Sequence, residues 1–76
     1  MGTPTLIVVH QDVPGMIAKV TGILSETNTN IGTMTVTRES KGESAIMIIE
    51  VDNPQVEETV RRLKHLPNID SVNYFD

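Results

Sequence analysis

The sequence lacks cysteine and tryptophan, and its aromatic content is very low. Its 76 residues include no Cys, no Trp, one Tyr and one Phe. Without Cys the chain can form neither a disulfide nor a thiolate metal site. A domain of this size buries only about 60% of the surface that its unfolded chain exposes. Association with another chain is therefore the remaining source of additional stability.

Positive charge and long apolar runs are also scarce. The chain has 6 Lys and Arg against 10 Asp and Glu, a formal net charge of −4. This balance argues against nucleic acid and against an anionic membrane surface as partners. No apolar stretch approaches the roughly 18 residues of a membrane-spanning helix, and no signal-peptide pattern is present. A cytoplasmic location is therefore the default expectation.

Catalytic side chains are few and isolated. His10 and His65 do not share a helical face with each other and a carboxylate, as a zinc or general-base site would require. None of the serines lies in a Gly-x-Ser-x-Gly elbow: Ser25, Ser40, Ser44 and Ser71. We therefore expect no catalytic residue, no metal site and no cofactor in this chain, which by itself is not expected to be an enzyme.

Four segments are predicted to be strands. Residues 5–10 contain the apolar run 6–9, and residues 44–51 are a nearly unbroken apolar run, which is typical of central strands. Residues 31–38 alternate between threonine and apolar side chains and predict an edge strand. Residues 39–42 form a turn cluster, so the second and third strands should form a hairpin. A fourth strand is predicted over residues 69–75.

Two amphipathic stretches are predicted to be helices. The first runs from Met16 to about Thr27, with its apolar residues on one stripe. The second starts after Asp52, with Asn53 as its N-cap and Pro54 at its first position. Its carboxylates precede arginines by four residues, which predicts two exposed ion pairs, Glu57 with Arg61 and Glu58 with Arg62.

The predicted order β-α-β-β-α-β is that of an α+β, ferredoxin-like fold. Right-handed crossovers then give a four-stranded antiparallel sheet with both helices on one face. The first and third strands are expected to be central, and the uncovered face should carry exposed apolar side chains. The second strand offers an unpaired edge, so pairing with a second copy is plausible.

The turn from His10 to Gly15 separates the first strand from the first helix. Pro14 suits a first helical position, and Gly15 allows another molecule to approach the backbone closely. The amides of Gly15 and Met16 would be donors to a small anion, or would simply bind water. Asp12 would either cap the helix or face the ammonium of an amino acid.

Two more side chains are candidates for ligand contact. His10, at the end of the first strand, can donate a hydrogen bond to a ligand hydroxyl or carboxylate, or it is a strand-end histidine without a ligand. Asn30 has both a donor and an acceptor, which suits a zwitterion. Alternatively, Asn30 only terminates the helix.

The turn has the sequence His10-Gln11-Asp12-Val13-Pro14-Gly15, and it is followed by a helix and then by Asn30-Ile31-Gly32. This arrangement resembles the ACT domain family of small-molecule-sensing modules. The resemblance covers residues 5–76, which leaves residues 1–4 as a linker or an appended segment. It implies that an effector lies between the turn and first helix of one domain and the asparagine of a neighbouring domain. Carried over by position, the effector-binding residues are His10, Asp12, Val13, Pro14, Gly15, Met16, Asn30 and Ile31.

Further stretches, Met34-x-Val36-x-Arg38 and residues 45–52, look like the ACT domains of iron-sulfur L-serine dehydratases. They are also similar to those of D-3-phosphoglycerate dehydrogenases. The first resemblance implies a parent that converts L-serine to pyruvate and ammonia on an iron-sulfur cluster held outside this chain. The second implies feedback inhibition by serine. The implied partners are L-serine or a related small amino acid, a second ACT domain and the parent's catalytic domain or chain.

Two positions depart from the family's pattern. Val13 stands where the family often has Arg, and Asp12 stands where the serine-binding relative often has Asn. A carboxylate at Asp12 would repel the carboxylate of serine and favour its ammonium. These departures keep a second hypothesis open, in which the chain is a structural dimerisation module without a ligand.

Overall fold

The computed structural model describes residues 2–38, 43–52 and 55–76. Its elements follow in the order β1 (Thr5–Gln11), α1 (Met16–Glu26), β2 (Asn30–Arg38), β3 (Ser44–Asp52), α2 (Val56–Lys64) and β4 (Ile69–Phe75). This is the βαββαβ order that the sequence predicts, and it confirms the ferredoxin-like fold. The predicted turn at residues 39–42 lies outside the described residues.

The four strands form one antiparallel sheet in the order β2-β3-β1-β4. The two strands with consecutive apolar residues, β1 and β3, are central, and β2 lies at an edge, as predicted. Leu6 pairs with Ile49 of β3 on one side and with Tyr74 of β4 on the other. The long apolar runs therefore occupy the positions where both neighbours are strands.

The helices cover one face of this sheet. The core combines alternate residues of the strands with one stripe from each helix: Leu6, Val8, Met16, Val20, Leu24, Met47, Ile49, Val51, Leu63 and Val72. On the opposite face Ile48 remains 40% exposed and Phe75 55% exposed. The predicted apolar side chains on the uncovered face are therefore confirmed.

Helix α1 begins at Met16 as predicted, but the residues that precede the two helices differ from the prediction. The N-cap of α1 is Gly15, whose φ of 87° is left-handed, so the helix begins at Met16. Pro14 precedes the N-cap, and its predicted place at the first helical position is wrong. The N-cap of α2 is Gln55, and the helix begins at Val56. The predicted cap Asn53 and first residue Pro54 lie outside the described residues.

One carboxylate on α2 serves both arginines. Arg62 Nε donates to Glu58 Oε2 at 2.6 Å, which confirms the predicted pair. Arg61 Nη2 donates to Glu58 at 2.7 Å, so the prediction that pairs it with Glu57 is wrong. Positions three apart on a helix are neighbours, and Glu58 has lone pairs for both guanidinium groups. These two hydrogen bonds lower the pKa of Glu58 from 4.5 to about 2.

Strand β2 contains an irregularity near its start. Its register against β3 shifts between Ile31 and Thr33, so one extra residue, Gly32, is accommodated there. A Cβ at Gly32 would lie 3.4 Å from the backbone oxygen of Glu50. The backbone of β3 approaches closely at this point, which favours a residue without a side chain.

Three buried threonines connect the C-terminal end of α1 with α2. Thr27 Oγ1 accepts from Thr59 Oγ1 at 3.0 Å and lies 3.0 Å from Thr29 Oγ1. It also donates to the backbone oxygens of Ile23 and Leu24, at 3.1 and 3.2 Å. Every hydroxyl of this threonine cluster has a partner inside the protein, as buried polar groups require.

Candidate functional site

A cleft of about 370 Å³ lies beside the turn between β1 and α1. This volume falls within the range of about 300 to 1,000 Å³ that is usual for small-molecule sites. The cleft is lined by the end of β1, the turn, the first residues of α1 and the last residues of β2: His10, Asp12, Val13, Pro14, Gly15, Met16, Ile17, Ala18, Val36 and Arg38. Six of the eight residues proposed from the sequence are therefore brought together.

Backbone hydrogen bonds fix the turn on both sides. Gln11 donates to the carbonyl oxygen of Asn68 and Asp12 donates to that of Glu43, each at 2.9 Å. Val13 then donates back to the carbonyl oxygen of Gln11 at 2.9 Å. The chain thus enters the helix from a position held by the segments before β4 and β3.

Gly15 gives the turn its final direction. A Cβ built on it would meet nothing within 4 Å, yet its φ is +87°. Such a φ costs about 1 to 2 kcal/mol in a residue with a side chain. Glycine is therefore favoured here by backbone conformation, and the space beside it is open to the cleft.

The start of α1 directs amide donors at the cleft. Lys19 is the first residue of the helix whose amide bonds to the carbonyl oxygen of Gly15, at 3.1 Å. The amides of Met16, Ile17 and Ala18 precede it, and helix geometry gives them no intrahelical acceptor. Together with the helix dipole they make this side of the cleft favourable for a negative group.

His10 is the buried polar side chain of the cleft, with only 3% of its surface exposed. Its Nδ1 lies 2.8 Å from the carbonyl oxygen of Gln11. A carbonyl can only accept, so Nδ1 carries a hydrogen and Nε2 of the neutral ring is an acceptor. Nε2 is buried and has no hydrogen-bond partner among the described residues.

This geometry refines the role expected of His10. The neutral ring offers Nε2 as an acceptor for a hydroxyl or an ammonium, whereas donation to a carboxylate requires the protonated ring. A buried acceptor without a partner is costly, by about 1 to 3 kcal/mol. A ligand that donates a hydrogen bond to Nε2 would remove that cost.

Asp12 forms an ion pair that the sequence analysis missed. Its Oδ2 lies 2.9 Å from Nε of Arg38, the last residue of β2. The Asp12 side chain is 16% exposed and the Arg38 side chain 59% exposed. The negative charge of Asp12 is therefore compensated inside the cleft, and its expected repulsion of a ligand carboxylate is reduced.

The register of three strands explains how Arg38 reaches the cleft. Arg38 pairs with Ala45 of β3, and Ala45 pairs with His10 of β1. Paired residues share a face of the sheet, so these three lie in one row on the helix-covered side. The predicted hairpin of β2 and β3 would place Arg38 near the cleft only if the register between its two strands were known. The sequence did not provide that register.

Asn30 and Ile31 lie away from the cleft. They pair with Asp52 and Val51, at the opposite end of β2 from Arg38. Arg38 lies eight positions after Asn30, which is about 26 Å along a strand. A single copy of the chain therefore does not bring Asn30 to the turn.

Other kinds of site find no support in the part of the chain that the structure describes. Within residues 2–38, 43–52 and 55–76, no group of three or more His, Cys, Asp or Glu side chains is arranged to hold a metal ion. No helix in these ranges is both long and apolar enough to cross a membrane. The second histidine, His65, forms a hydrogen bond through Nδ1 with the carbonyl oxygen of Arg61 at 2.8 Å.

Sequence comparison gives a family and two kinds of relative. The model of the ACT domain matches residues 4–68. A D-3-phosphoglycerate dehydrogenase of Bacillus subtilis is 40% identical over 67 residues, which are 88% of this chain and 13% of that protein. A probable L-serine dehydratase beta chain of the same organism is 41% identical over 66 residues, 87% of this chain and 30% of that protein. The chain thus spans less than a third of either relative.

Structural comparison agrees on the fold. The ACT domain from the GTP pyrophosphokinase of Chlorobium tepidum superposes with a TM-score of 0.76 at 17% identity, covering 95% of each chain. The family model spans both the turn that forms the cleft and the strand that carries Arg38. The chain belongs to the ACT domain family and is a regulatory domain of that family.

Proposed function

We propose that this domain senses an amino acid by binding L-serine or a related small amino acid in the cleft. The observation that carries the proposal is Nε2 of His10, a buried acceptor without a partner among the described residues. Such an atom is expected where a ligand completes the hydrogen bonding. The adjacent charges of Asp12 and Arg38 make the cleft suitable for a zwitterion.

The groups of L-serine match the cleft in one orientation. The hydroxyl donates to Nε2 of His10, and the ammonium faces the carboxylate of Asp12. The carboxylate then lies toward the amides at the start of α1, where the helix dipole favours negative charge. This orientation uses Asp12 as an attractive group, which agrees with its difference from the asparagine of the serine-binding relative.

A second copy of the domain completes the proposed site. Strand β2 lies at the edge of the sheet. Antiparallel pairing of two β2 strands about a two-fold axis brings the first residues of one strand toward the last residues of the other. Asn30 and Ile31 of the second copy would then approach the cleft near Arg38. An effector bridging both domains would stabilise one pairing geometry and couple to the parent's catalytic site by typically 1 to 3 kcal/mol.

Titration of the domain with L-serine and L-alanine tests this proposal. L-alanine lacks the hydroxyl, so it should bind about tenfold more weakly, as expected for one hydrogen bond of about 1.4 kcal/mol to a buried acceptor. In His10→Ala the two ligands should bind equally. His65→Ala, which changes the exposed histidine, is the matched control and should keep the discrimination. If wild-type protein shows no shift of the Gly15, Met16 or Asn30 amides up to millimolar L-serine while dimeric, the sensing role is wrong.

The alternative is a structural dimerisation module. It is favoured by the exposure of Ile48 and Phe75 on the uncovered face and by the free edge of β2. Sedimentation equilibrium distinguishes the two functions. A sensor should associate more tightly with L-serine present, whereas a structural module should associate equally with and without it. Thr35→Lys on β2 should weaken association in either case.

For the parent enzyme, we propose an L-serine dehydratase that deaminates L-serine to pyruvate and ammonia, located in the cytoplasm. The support is the similarity to the probable beta chain of such an enzyme. An iron-sulfur cluster does not fit this domain, because such clusters are held by cysteine thiolates and the chain has no Cys. The cluster would be bound by another part of the parent.

The alternative parent is a D-3-phosphoglycerate dehydrogenase under serine feedback inhibition. The support is the similar level of identity to that enzyme. The gene sequence outside this domain separates the two parents. A dinucleotide-binding domain there would favour the dehydrogenase, and a set of cluster-ligating cysteines in the parent would favour the dehydratase.

A further inference from the structure

Arg38 occupies a position in the cleft that none of the sequence motifs assigns. It is the last residue of β2, and it lies in the same row of the sheet as His10, with Ala45 between them. Its side chain lines the cleft and is 59% exposed. A cation therefore lies at the open side of the cleft, while the histidine closes its inner side.

The ion pair with Asp12 fixes the direction of the Arg38 side chain. The contact joins its Nε to Oδ2 of Asp12 at 2.9 Å. Asp12 is a firm anchor because its side chain is 16% exposed and its amide donates to the carbonyl oxygen of Glu43 at 2.9 Å. A guanidinium held through Nε keeps both Nη groups for a second acceptor. No other described residue accepts a hydrogen bond from them.

A planar fork of two N–H donors matches the two oxygens of a carboxylate. Met16, Ile17 and Ala18 line the same cleft, and their amides at the start of α1 have no acceptor within the helix and favour negative charge as well. His10 is 3% exposed, and its Nε2 has no partner in the described part of the chain, which is an independent sign that a ligand binds here. The cleft thus combines an anion-binding side with a neutral acceptor.

We propose that Arg38 binds the carboxylate of the ligand and that Asp12 positions Arg38 for this contact. The inference rests on the proposed function and deepens it, because it makes a carboxylate a requirement for binding. It also explains why a carboxylate at Asp12 is compatible with an amino-acid ligand. The charge of Asp12 orients Arg38, and Arg38 binds the carboxylate of the ligand. Amines without a carboxylate are then excluded from the site.

The test compares L-serine with L-serinamide, in which an amide replaces the carboxylate. Arg38→Met keeps an unbranched side chain and removes the guanidinium. We expect this variant to bind L-serine at least about tenfold more weakly than wild type, the effect of one charge-assisted interaction. L-serinamide should bind wild type and Arg38→Met equally weakly. Arg61→Met is the matched control, because Arg61 is 62% exposed on α2 and does not line the cleft.

Two more variants separate contact from positioning. Arg38→Lys should restore only part of the affinity, since an ammonium cannot form the planar fork. Asp12→Asn should weaken L-serine binding more in wild type than when it is added to Arg38→Met, where only its contact with the ligand's ammonium is lost. Equal losses from Asp12→Asn in both backgrounds would overturn the positioning role. Circular dichroism confirms that each variant is folded.

The outcomes distinguish this inference from the function on which it rests. If wild type binds L-serine and Arg38→Met binds it as tightly, Arg38 is not the carboxylate receptor and the sensing role stands. If Arg38→Met loses affinity equally for L-serine and L-serinamide, the arginine acts on the fold of the cleft and the inference is wrong. If wild type binds neither ligand, both proposals are wrong.

Discussion

Two groups of buried polar side chains lie at the two ends of α1, and they differ in how their hydrogen bonds are satisfied. At the C-terminal end, the threonine cluster of Thr27, Thr29 and Thr59 bonds internally. At the N-terminal end, His10 is just as buried, with 3% of its surface exposed, but its Nε2 has no partner among the described residues. The first arrangement stabilises the fold, and the second leaves the buried acceptor on which the proposed ligand binding rests.

Burial alone therefore does not reveal what a polar group does. The threonine cluster joins the C-terminal end of α1, the segment before β2 and α2, so its contribution is to the free energy of unfolding. His10 lies on β1 and lines the cleft, so its proposed contribution is to ligand binding. Substitutions at the two ends should therefore separate stability from ligand affinity.

The largest expected effect is at the threonine cluster. Thr27→Val removes the hydroxyl that Thr59 and Thr29 share, and it leaves their buried oxygens short of a partner. We expect a loss of about 2 to 3 kcal/mol in the free energy of unfolding, measured by urea denaturation. Thr21→Val is the control, because the Thr21 hydroxyl bonds to Ile17 on the exposed side of α1. Equal losses in the two variants would contradict the role of the cluster.

The next effect is at the turn that forms the cleft. Gly15→Ala should cost about 1 to 2 kcal/mol, because its left-handed φ is strained for alanine. Gly22→Ala, inside α1, should gain about 0.5 to 1 kcal/mol, because alanine is the better helix former. A Cβ meets nothing within 4 Å at either glycine, so the pair isolates backbone conformation. Thermal unfolding of both variants measures the difference in stability. A change of the same sign in both would show that backbone conformation at Gly15 is not its cause.

A smaller effect is expected at His10. His10→Leu removes the hydrogen bond from Nδ1 to Gln11, but the Gln11 carbonyl keeps the one from Val13. It also removes the unpartnered Nε2. The free energy of unfolding in the absence of ligand should therefore change by less than about 1 kcal/mol. A loss as large as that of Thr27→Val would show that the ring is a structural element like the threonine cluster.

The smallest effect is on the exposed surface of α2, outside both buried groups. The pKa of Glu58 is lowered to about 2, mainly by the hydrogen bonds from Arg61 and Arg62. A depressed folded-state pKa gives stability that is present above the unfolded value of 4.5 and is lost as the pH falls toward 2. Urea midpoints should therefore decrease over this range in wild type and less steeply in Glu58→Gln. Glu57→Gln, which removes a carboxylate from the same turn, should retain the wild-type slope.

The fold could be predicted from the sequence because local patterns and tertiary structure agree. The consecutive apolar residues of β1 and β3 require strands on both sides, and the threonine alternation of β2 suits an edge. The residues that precede the helices were predicted less accurately. Proline favours a first helical position, but the left-handed φ of Gly15 ends the turn one residue later than Pro14. A single residue's conformation decided that boundary.

The candidate site could be predicted only where it is continuous in sequence. His10, Asp12 and Gly15 lie on one turn, and the structure brings them together. Arg38 belongs to a stretch that resembles relatives, but no role in the site was predicted for it. Its contact with Asp12 depends on the register of β2 against β3 and of β3 against β1. Neither register follows from the alternation of side chains alone, since a shift by two residues keeps the pattern.

The extra residue in β2 also decides which face of the sheet the side chains on either side of it occupy. Ile31 and Arg38 are seven positions apart, and an odd separation places two residues of a regular strand on opposite faces. The register shift between Ile31 and Thr33 adds one step to one strand only. Ile31 therefore pairs with buried Val51, while Arg38 pairs with buried Ala45, on the same face. Without this irregularity, a regular strand over the same seven positions would turn one of these two residues away from the helices.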